Sequence, residues 1–324
     1  MNYAQKMCLA IAANLALPTI ALSANWDLPS AFPDGNFHTQ NLRWFADQVA
    51  QATNKDLNIT VHSNAALFSA DEIKVAVQTG QTPIGEICIC HYGNEYAFYE
   101  ADGIPFLAQG YDEAWKLWQA QRPVIEERLA KEGLMVLYAV AWPGQGFYTK
   151  KTIESVDDFK GVRIRSDYPP LTRLAELVGA EPVTVRGPEV PTAFGTGMIE
   201  AMYTSPTTGV NSQAWDFVDY YYDIRANHPK NLVIVNRAAF EALSEESRTA
   251  VLKAAEEAER RGWKLSEEKS TEDLNTLKEK GINVLNFSDS LLTAMKGKGN
   301  EVIDSWLERL TPDERERMKN LRGQ

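Results

Sequence analysis

The chain has 324 residues, with 33 Lys plus Arg against 44 Asp plus Glu and a net charge of −11 at neutral pH. An acidic chain of this kind has no electrostatic footprint for nucleic acid. Its length is enough for two lobes of ordinary domain size.

The first two dozen residues form a separate object. Met1 to Lys6 carries one positive charge, Met7 to Leu22 is mostly apolar, and Ala21-Leu22-Ser23 is a small-x-small triplet. That is the pattern of a secretory signal peptide, with cleavage expected after Ser23 or Ala24 and an exported mature chain. A membrane anchor is the other reading, but the run contains Asn14 and Pro18 and is shorter than the ~20 residues a span needs. Cys8 follows Gln5-Lys6-Met7, which lacks the small residues of a lipidation motif. Losing Lys6 takes the balance from 33 − 44 = −11 to 32 − 44 = −12.

The rest alternates strand and helix, the mark of an α/β protein. Residues 25–28 read as a strand, Phe32-Pro33-Asp34-Gly35 as a turn, and 36–53 as a helix. A strand follows at 57–62, an amphipathic helix at 69–79 ended by Gly80, and a strand at 83–90. Cys88 and Cys90 lie two apart in that last run and would share one strand face. A bridge between such close neighbours is strained, so both are read as small core residues, one within reach of a cleft. Two cysteines without a further Cys/His pair do not make a zinc site.

Residues 111–132 read as a long helix ending at Gly133, and 135–141 as an apolar strand. Trp142-Pro143-Gly144-Gln145-Gly146-Phe147 then breaks the pattern, where the chain is expected to pass from one lobe to the other. A second strand and helix series runs to about Asp223, and 231–235 is a strand returning to the first lobe. Ser244 caps the next helix, with Glu245 and Glu246 in the first turn where the dipole favours anions. Apolar residues recur at Val251, Leu252, Ala255, Ala258, Trp263, Leu274 and Leu277 before Gly281 closes the run. Thirty-odd residues rise roughly 50 Å, longer than one lobe. No sustained heptad supports a coiled coil, so this helix is expected to bridge both lobes. The division expected is 24–142 plus 231–270 for lobe I and 143–230 plus 271–324 for lobe II.

The most informative stretch is Ser155-Val156-Asp157-Asp158-Phe159-Lys160-Gly161-Val162-Arg163-Ile164-Arg165. It reads as a short helical turn, a tight turn at Gly161 and a strand ending on a cation. A helix closed by Gly179 and a strand beginning at Pro182 follow. Arg163 and Arg165 share one strand face. An arginine at a strand's carboxyl end, facing a cleft, suits a carboxylate or sulfonate, because its planar fork donates two parallel hydrogen bonds. A surface arginine on an edge strand is the plainer alternative.

The order Asp158-x-Lys160-Gly161-x-x-x-Arg165, Gly179-Ala180-x-Pro182-Val183 and Glu189-Val190 resembles the signature of DctP-type substrate-binding proteins of tripartite ATP-independent periplasmic (TRAP) transporters. Gly80, Gly103-Ile104-Pro105-Phe106-Leu107 and Asn236 to Ser244 extend the resemblance, which runs from about Trp26 to Trp306. It implies an α/β, two-lobe periplasmic-binding-protein-like fold with mixed sheets in each lobe, hinge strands and a long bridging C-terminal helix. It also implies that Arg165 binds the acid group of a small organic-acid ligand. Delivery would be to membrane DctQ- and DctM-type subunits, driven by an ion gradient without an ATPase, by a receptor expected to be monomeric.

Departures from the family pattern narrow the ligand. Relatives that hold sialic acid carry a second arginine twenty residues upstream of the clamp, where this chain has Gln145. An uncharged amide argues against a dianion or a large polyol acid. Branches with the glutamine bind small 2-oxo or 2-hydroxy monocarboxylates, which would place Arg165 on the acid and Gln145 on the neighbouring oxygen; Gln145 as a polar hinge residue is the plainer alternative. Amino, aromatic and sulfonic acids stay open. Gly187 stands where the family often has an aromatic ring, leaving room for a bulkier ligand or for Arg186, while Glu189 reads as a helix-start residue. Ser205 and Thr204 replace an asparagine and an acid, so the side-chain cation site of some relatives is not expected. From lobe I, Phe32, Glu86, His91 and Tyr92 sit at strand-to-loop ends, where α/β clefts bind ligands, although Glu86 reads equally as a core-edge carboxylate with a backbone partner. Phe147 and Tyr168, with Trp142, Tyr203 and Trp215, supply rings that are core or stack on a planar ligand.

No G-x-S-x-G elbow, H-E-x-x-H, P-loop or G-x-G-x-x-G is present. His38, His62, His91 and His228 are scattered, with no Cys or carboxylate at ligand spacing. No catalysis, cofactor or metal is expected. An ATP-binding-cassette receptor for an organic or amino acid, or a periplasmic enzyme on the same fold, are the rival readings.

Overall fold

The computed structural model describes residues 23–321, so the signal-peptide expectation lies outside the described residues except for its cleavage site. The elements in order are β1 (Ala24–Pro29), α1 (Phe37–Ala52), β2 (Leu57–His62), α2 (Ile73–Gln78), β3 (Ile84–Cys88), α3 (Gly110–Ala130) and β4 (Leu134–Ala141). Next come β5 (Gly146–Thr149), β6 (Arg163–Ser166), α4 (Pro169–Leu177), β7 (Glu181–Thr184), α5 (Val190–Gly195), β8 (Ala201–Thr204), α6 (Pro206–Asn211) and β9 (Tyr220–Tyr222). The chain closes with β10 (Lys230–Asn236), α7 (Arg237–Glu241), α8 (Glu245–Glu279), β11 (Asn283–Leu285), α9 (Asp289–Glu308) and α10 (Pro312–Leu321).

Three hydrogen-bonded sheets carry two lobes. β1 and β2 pair in parallel, and β10 lies antiparallel between β3 and β4. The other lobe holds a mixed six-stranded sheet in the order β11-β9-β5-β8-β6-β7. The chain crosses between lobes from β4 to β5 and from β9 to β10, so both lobes are discontinuous in sequence. The first lobe's core gathers Trp26, Leu28, Phe37, Phe45, Val140 and Val233. In the second, Phe147, Phe159, Ile164, Tyr203 and Trp306 pack with Phe98, Ala101 and Ile104, which come from the 3₁₀ helix Ala97–Gly103 and its C-cap, ahead of α3.

Entry into β6 shows how local sequence positions a functional side chain. Asp158 accepts from the Ser155 backbone N–H at 2.8 Å, holding a short 3₁₀ turn over Val156–Phe159. Gly161 and Gly179 both take left-handed backbone (φ +71° and +78°), which a residue with a Cβ resists. The Gly161 N–H donates to the Gly179 carbonyl at 2.8 Å, so the turn before β6 and the end of α4 are tied together. β6 can then run parallel to both β7 and β8, with Arg165 opposite Val183 and Met202.

α8 is the expected bridge. Ser244 caps it by accepting from the Ser247 N–H at 3.1 Å, and 35 residues follow. Its first half packs Val251, Ala254, Ala255 and Ala258 on the first lobe; later Leu274 and Leu277 enter the second lobe's core. Leu252, read as part of that apolar stripe, is 49% exposed, because Val251 and Ala255 set the buried face and Leu252 falls beside it.

The reading of Cys88 and Cys90 needs correction. The strand ends at Cys88, and Ile89–Tyr92 turns into a 3₁₀ helix, which brings the two Cα atoms to 5.5 Å. That spacing suits a bridge, and the two form a disulfide. The histidine reading also shifts: the His91 ring lies with both sulfurs inside 4.8 Å, although the disulfide uses both sulfurs.

Candidate functional site

A cavity of about 50 Å³ lies between the lobes at the carboxyl end of β6. Arg165, Asp167, Tyr168, Arg186, Gly187, Thr204 and Gln145 line it from the second lobe and its hinge; Phe32, Cys88, His91 and Trp142 close it from the first. A second cavity of about 190 Å³ shares the wall of Phe32, Trp142, Gly187 and Pro188. No atom lies within 4 Å of where a Gly187 side chain would begin, so the missing ring leaves open space there.

Arg165 is 3% exposed. Its Nε donates to the Val185 carbonyl at 2.8 Å, and its Nη2 lies 3.0 Å from Asp167 Oδ2. Two contacts therefore fix the plane of the guanidinium, while Nη1 has no protein partner among the described residues. Fixing a fork in advance lowers the ordering cost of binding an acid.

Asp167 is the hub of the charges. Besides Arg165, its Oδ1 lies 3.2 Å from Arg186 Nη1 and its Oδ2 lies 3.3 Å from His91 Nε2. Burial alone would raise its pKa; Arg165, His91 and Arg186 together outweigh burial and hold it well below the usual carboxylate range. Arg186 also crosses the mouth of the cleft to Asp71 at 2.9 Å. Lobe II is thereby latched to lobe I on two sides, through Arg186–Asp71 and Asp167–His91.

Neutral groups shape the remainder. Gln145 is buried, its backbone N–H donating to Asn227 O at 3.0 Å and its amide to Pro143 O at 3.4 Å. The Tyr168 hydroxyl accepts from the Asn227 amide at 3.0 Å, and the Tyr203 hydroxyl donates to the Asn227 carbonyl oxygen at 2.7 Å. Burial pushes the Tyr168 phenol upward, so it stays neutral. Trp142 is held by its indole N–H, which donates to Asn231 at 2.9 Å, and Phe32 meets it edge-on at 4.9 Å.

Of the residues chosen from sequence, Arg165, Gln145, His91, Phe32, Tyr168 and Gly187 meet at this cavity. Phe147, Ser205 and Glu86 do not line it. Phe147 packs behind Arg165 among Tyr203, Phe159 and Phe287. Ser205 caps α6, its hydroxyl accepting from the Thr208 N–H at 3.2 Å. Glu86 is buried in the first lobe, where it accepts from the Ser30 hydroxyl at 2.6 Å beside His38. Burial raises its pKa to about 7, with Ser30 and Asn231 pulling the other way. Asp167 was missed, and its only signal was its place two residues beyond Arg165 at the strand's end.

Residues 30–309 match the family described as bacterial extracellular solute-binding protein, family 7 (DctP). The chain belongs to that family. Two Bordetella pertussis extracytoplasmic solute receptors of it, DctP6 and DctP7, are each described as binding pyroglutamic acid. They are 41% and 42% identical to this chain, cover 93% of it over 100% of their own length, and superpose with TM-scores of 0.91 and 0.90. A TRAP solute-binding protein from a marine metagenome, described as specific for pyroglutamate, is 35% identical, with 93% and 99% of the chains covered and a TM-score of 0.90. The family and its structural neighbours are transport receptors, so the chain is a TRAP solute-binding protein and not an enzyme. That membership also sets aside the ATP-binding-cassette reading. Its extracytoplasmic location follows from the family.

Proposed function

We propose that this family 7 receptor captures pyroglutamate, or a small cyclic monocarboxylate of the same size, and delivers it to DctQ- and DctM-type membrane subunits. The observation that carries the reading is the buried Arg165 guanidinium, held in the wall of the interlobe cavity with Nη1 facing no protein partner. Receptors 35–42% identical over nearly the whole chain are described as pyroglutamate binders, which supports the ligand class. In this reading the carboxylate pairs with Arg165. The lactam's planar edge offers one donor and one acceptor, which suit the Asp167 carboxylate and the Gln145 amide. Tyr168, Trp142 and Phe32 close on the ring faces.

The receptor would work as a monomer in the periplasm, after cleavage near Ser23 or Ala24. Lobe I would comprise 24–142 plus 231–270, and lobe II 143–230 plus 271–324. Ligand binding would favour the closed arrangement because only there do both lobes touch it.

Thermal unfolding with and without pyroglutamate tests the reading. At 100 times Kd a ligand adds about 2.7 kcal/mol of apparent stability. A clear rise in Tm for the wild type, absent in Arg165→Ala while its apo Tm stays within a few degrees, is the expected result. An equal ligand-induced rise in Arg165→Ala would contradict the clamp. No rise with pyroglutamate, but one with another acid, would replace the ligand and keep the site.

A further inference from the structure

We propose that Asp167 sets the charge of the acid that this receptor accepts, limiting it to monoanions that carry a hydrogen-bond donor near the carboxylate. The inference rests on the reading that the ligand's acid group pairs with Arg165, and it adds the residue that rejects a second negative charge. Four charged side chains meet at the cavity and its mouth: Arg165, Arg186, Asp167 and Asp71. They are two cations and two anions, so the protein's charges cancel before any ligand enters. Asp71 matches Arg186 from the lobe I side, while Asp167 lies between the two arginines and touches both. His91, against Asp167 Oδ2, adds positive charge only when protonated.

A single carboxylate can take the free Nη1 edge of Arg165. A second would find no free guanidinium edge, since Arg186 is taken up by Asp71 and Asp167, and would face Asp167, which the arginines keep ionised. Gln145, where a second cation could have stood, contributes an amide only. Like charges brought together in a desolvated site reject a wrong partner more effectively than lost contacts do. The same carboxylate accepts hydrogen bonds but cannot donate them, so it rewards an N–H or O–H on the ligand.

The test uses two acids of nearly equal shape that differ by one charge, glutaramate and glutarate, with pyroglutamate as a third probe. Calorimetric titration is run on wild type, Asp167→Asn and Asp167→Glu. Asparagine keeps the size and removes the charge, and glutarate affinity is expected to rise at least tenfold, or to appear where wild type shows none. The glutamate variant should keep glutarate excluded. A change of packing alone would weaken all three acids together, without this selective gain. If Asp167→Asn gains nothing for glutarate, the proposal is overturned. Should that variant fail to melt cooperatively, Arg186→Gln carries the test: loss of a cation with Asp167 in place should lower glutarate affinity relative to glutaramate, or deepen its exclusion. A rise or no change in that ratio overturns the proposal. Pyroglutamate separates the two readings: wild type that ignores it while glutarate still responds to Asp167 loses the ligand assignment and keeps the filter. Wild type that binds it with glutarate unmoved in Asp167→Asn keeps the ligand and loses the filter.

Discussion

Arg165 and Asp167 sit two positions apart, yet only one of them was readable in the sequence. The arginine ends a strand with an alternating pattern inside a motif, so its direction followed from period-two geometry. Asp167 lies just past β6, where a lone acid looks like any solvated turn residue; its meaning comes from Arg186 and His91, which reach it from distant segments. Glu86 takes the inward one of its two readings, a strand-end carboxylate that meets Ser30 and His38. Its folded pKa of about 7 against an ordinary 4.5 gives a signed prediction. The folded state holds this proton more tightly, so its stabilising effect is complete below about pH 4.5 and is lost as pH rises through about 7. A shift of that size corresponds to about 3 kcal/mol. Glu86→Gln should therefore unfold at higher denaturant than wild type at pH 8 and lose that advantage at pH 4.5. His228, whose pKa burial lowers to about 4, adds an opposite acid-side loss in both proteins, so the difference between the two urea midpoints removes its contribution and reports Glu86 together with its neighbour His38.

Elements bounded by chain stops were legible. β2 was found at its observed limits, α1 and α8 within a residue or two of theirs, and Asn36 and Ser244 cap the two helices as side-chain acceptors. The short helix before Gly80 begins later than its apolar pattern suggested, because Glu72 accepts from the Ser69 N–H and hydroxyl and holds a turn there instead. The run through Cys90 was read as strand because a short apolar segment does not distinguish a strand from a tight turn of helix. α8 packs tightly on the first lobe: Gly262 lies where a Cβ would collide with Val140 of β4 and crowd Asn41 of α1. Gly262→Ala should cost about 1–3 kcal/mol through overpacking, although alanine is the better helix former. Ser244→Ala, which removes the cap of the same helix, should cost about 1 kcal/mol. Paired Tm measurements would show both losses; a stabilised Gly262→Ala would mean that α8 does not press on β4 this tightly.

At the scale of the whole molecule, the two-lobe plan was legible from the Pro/Gly break at 142–147 and the returning strand, while the latch across the cleft was not. Arg186 and Asp71 lie 115 residues apart, and nothing local marks them as partners. The pair is part-exposed, so its loss should be modest. Asp71→Ala, which leaves the cavity wall intact, is expected to weaken ligand binding by up to about fivefold, in line with ~0–1 kcal/mol for such pairs. Titration that finds a loss of a hundredfold would give the latch a far larger share of closure than its exposure allows. The decisive measurement for the account as a whole is a crystal structure of the mature chain grown with pyroglutamate. It should place the ligand between the lobes with its carboxylate about 3 Å from the Arg165 guanidinium. Density for the acid group away from Arg165, or in a cavity outside the interlobe cleft, would contradict it.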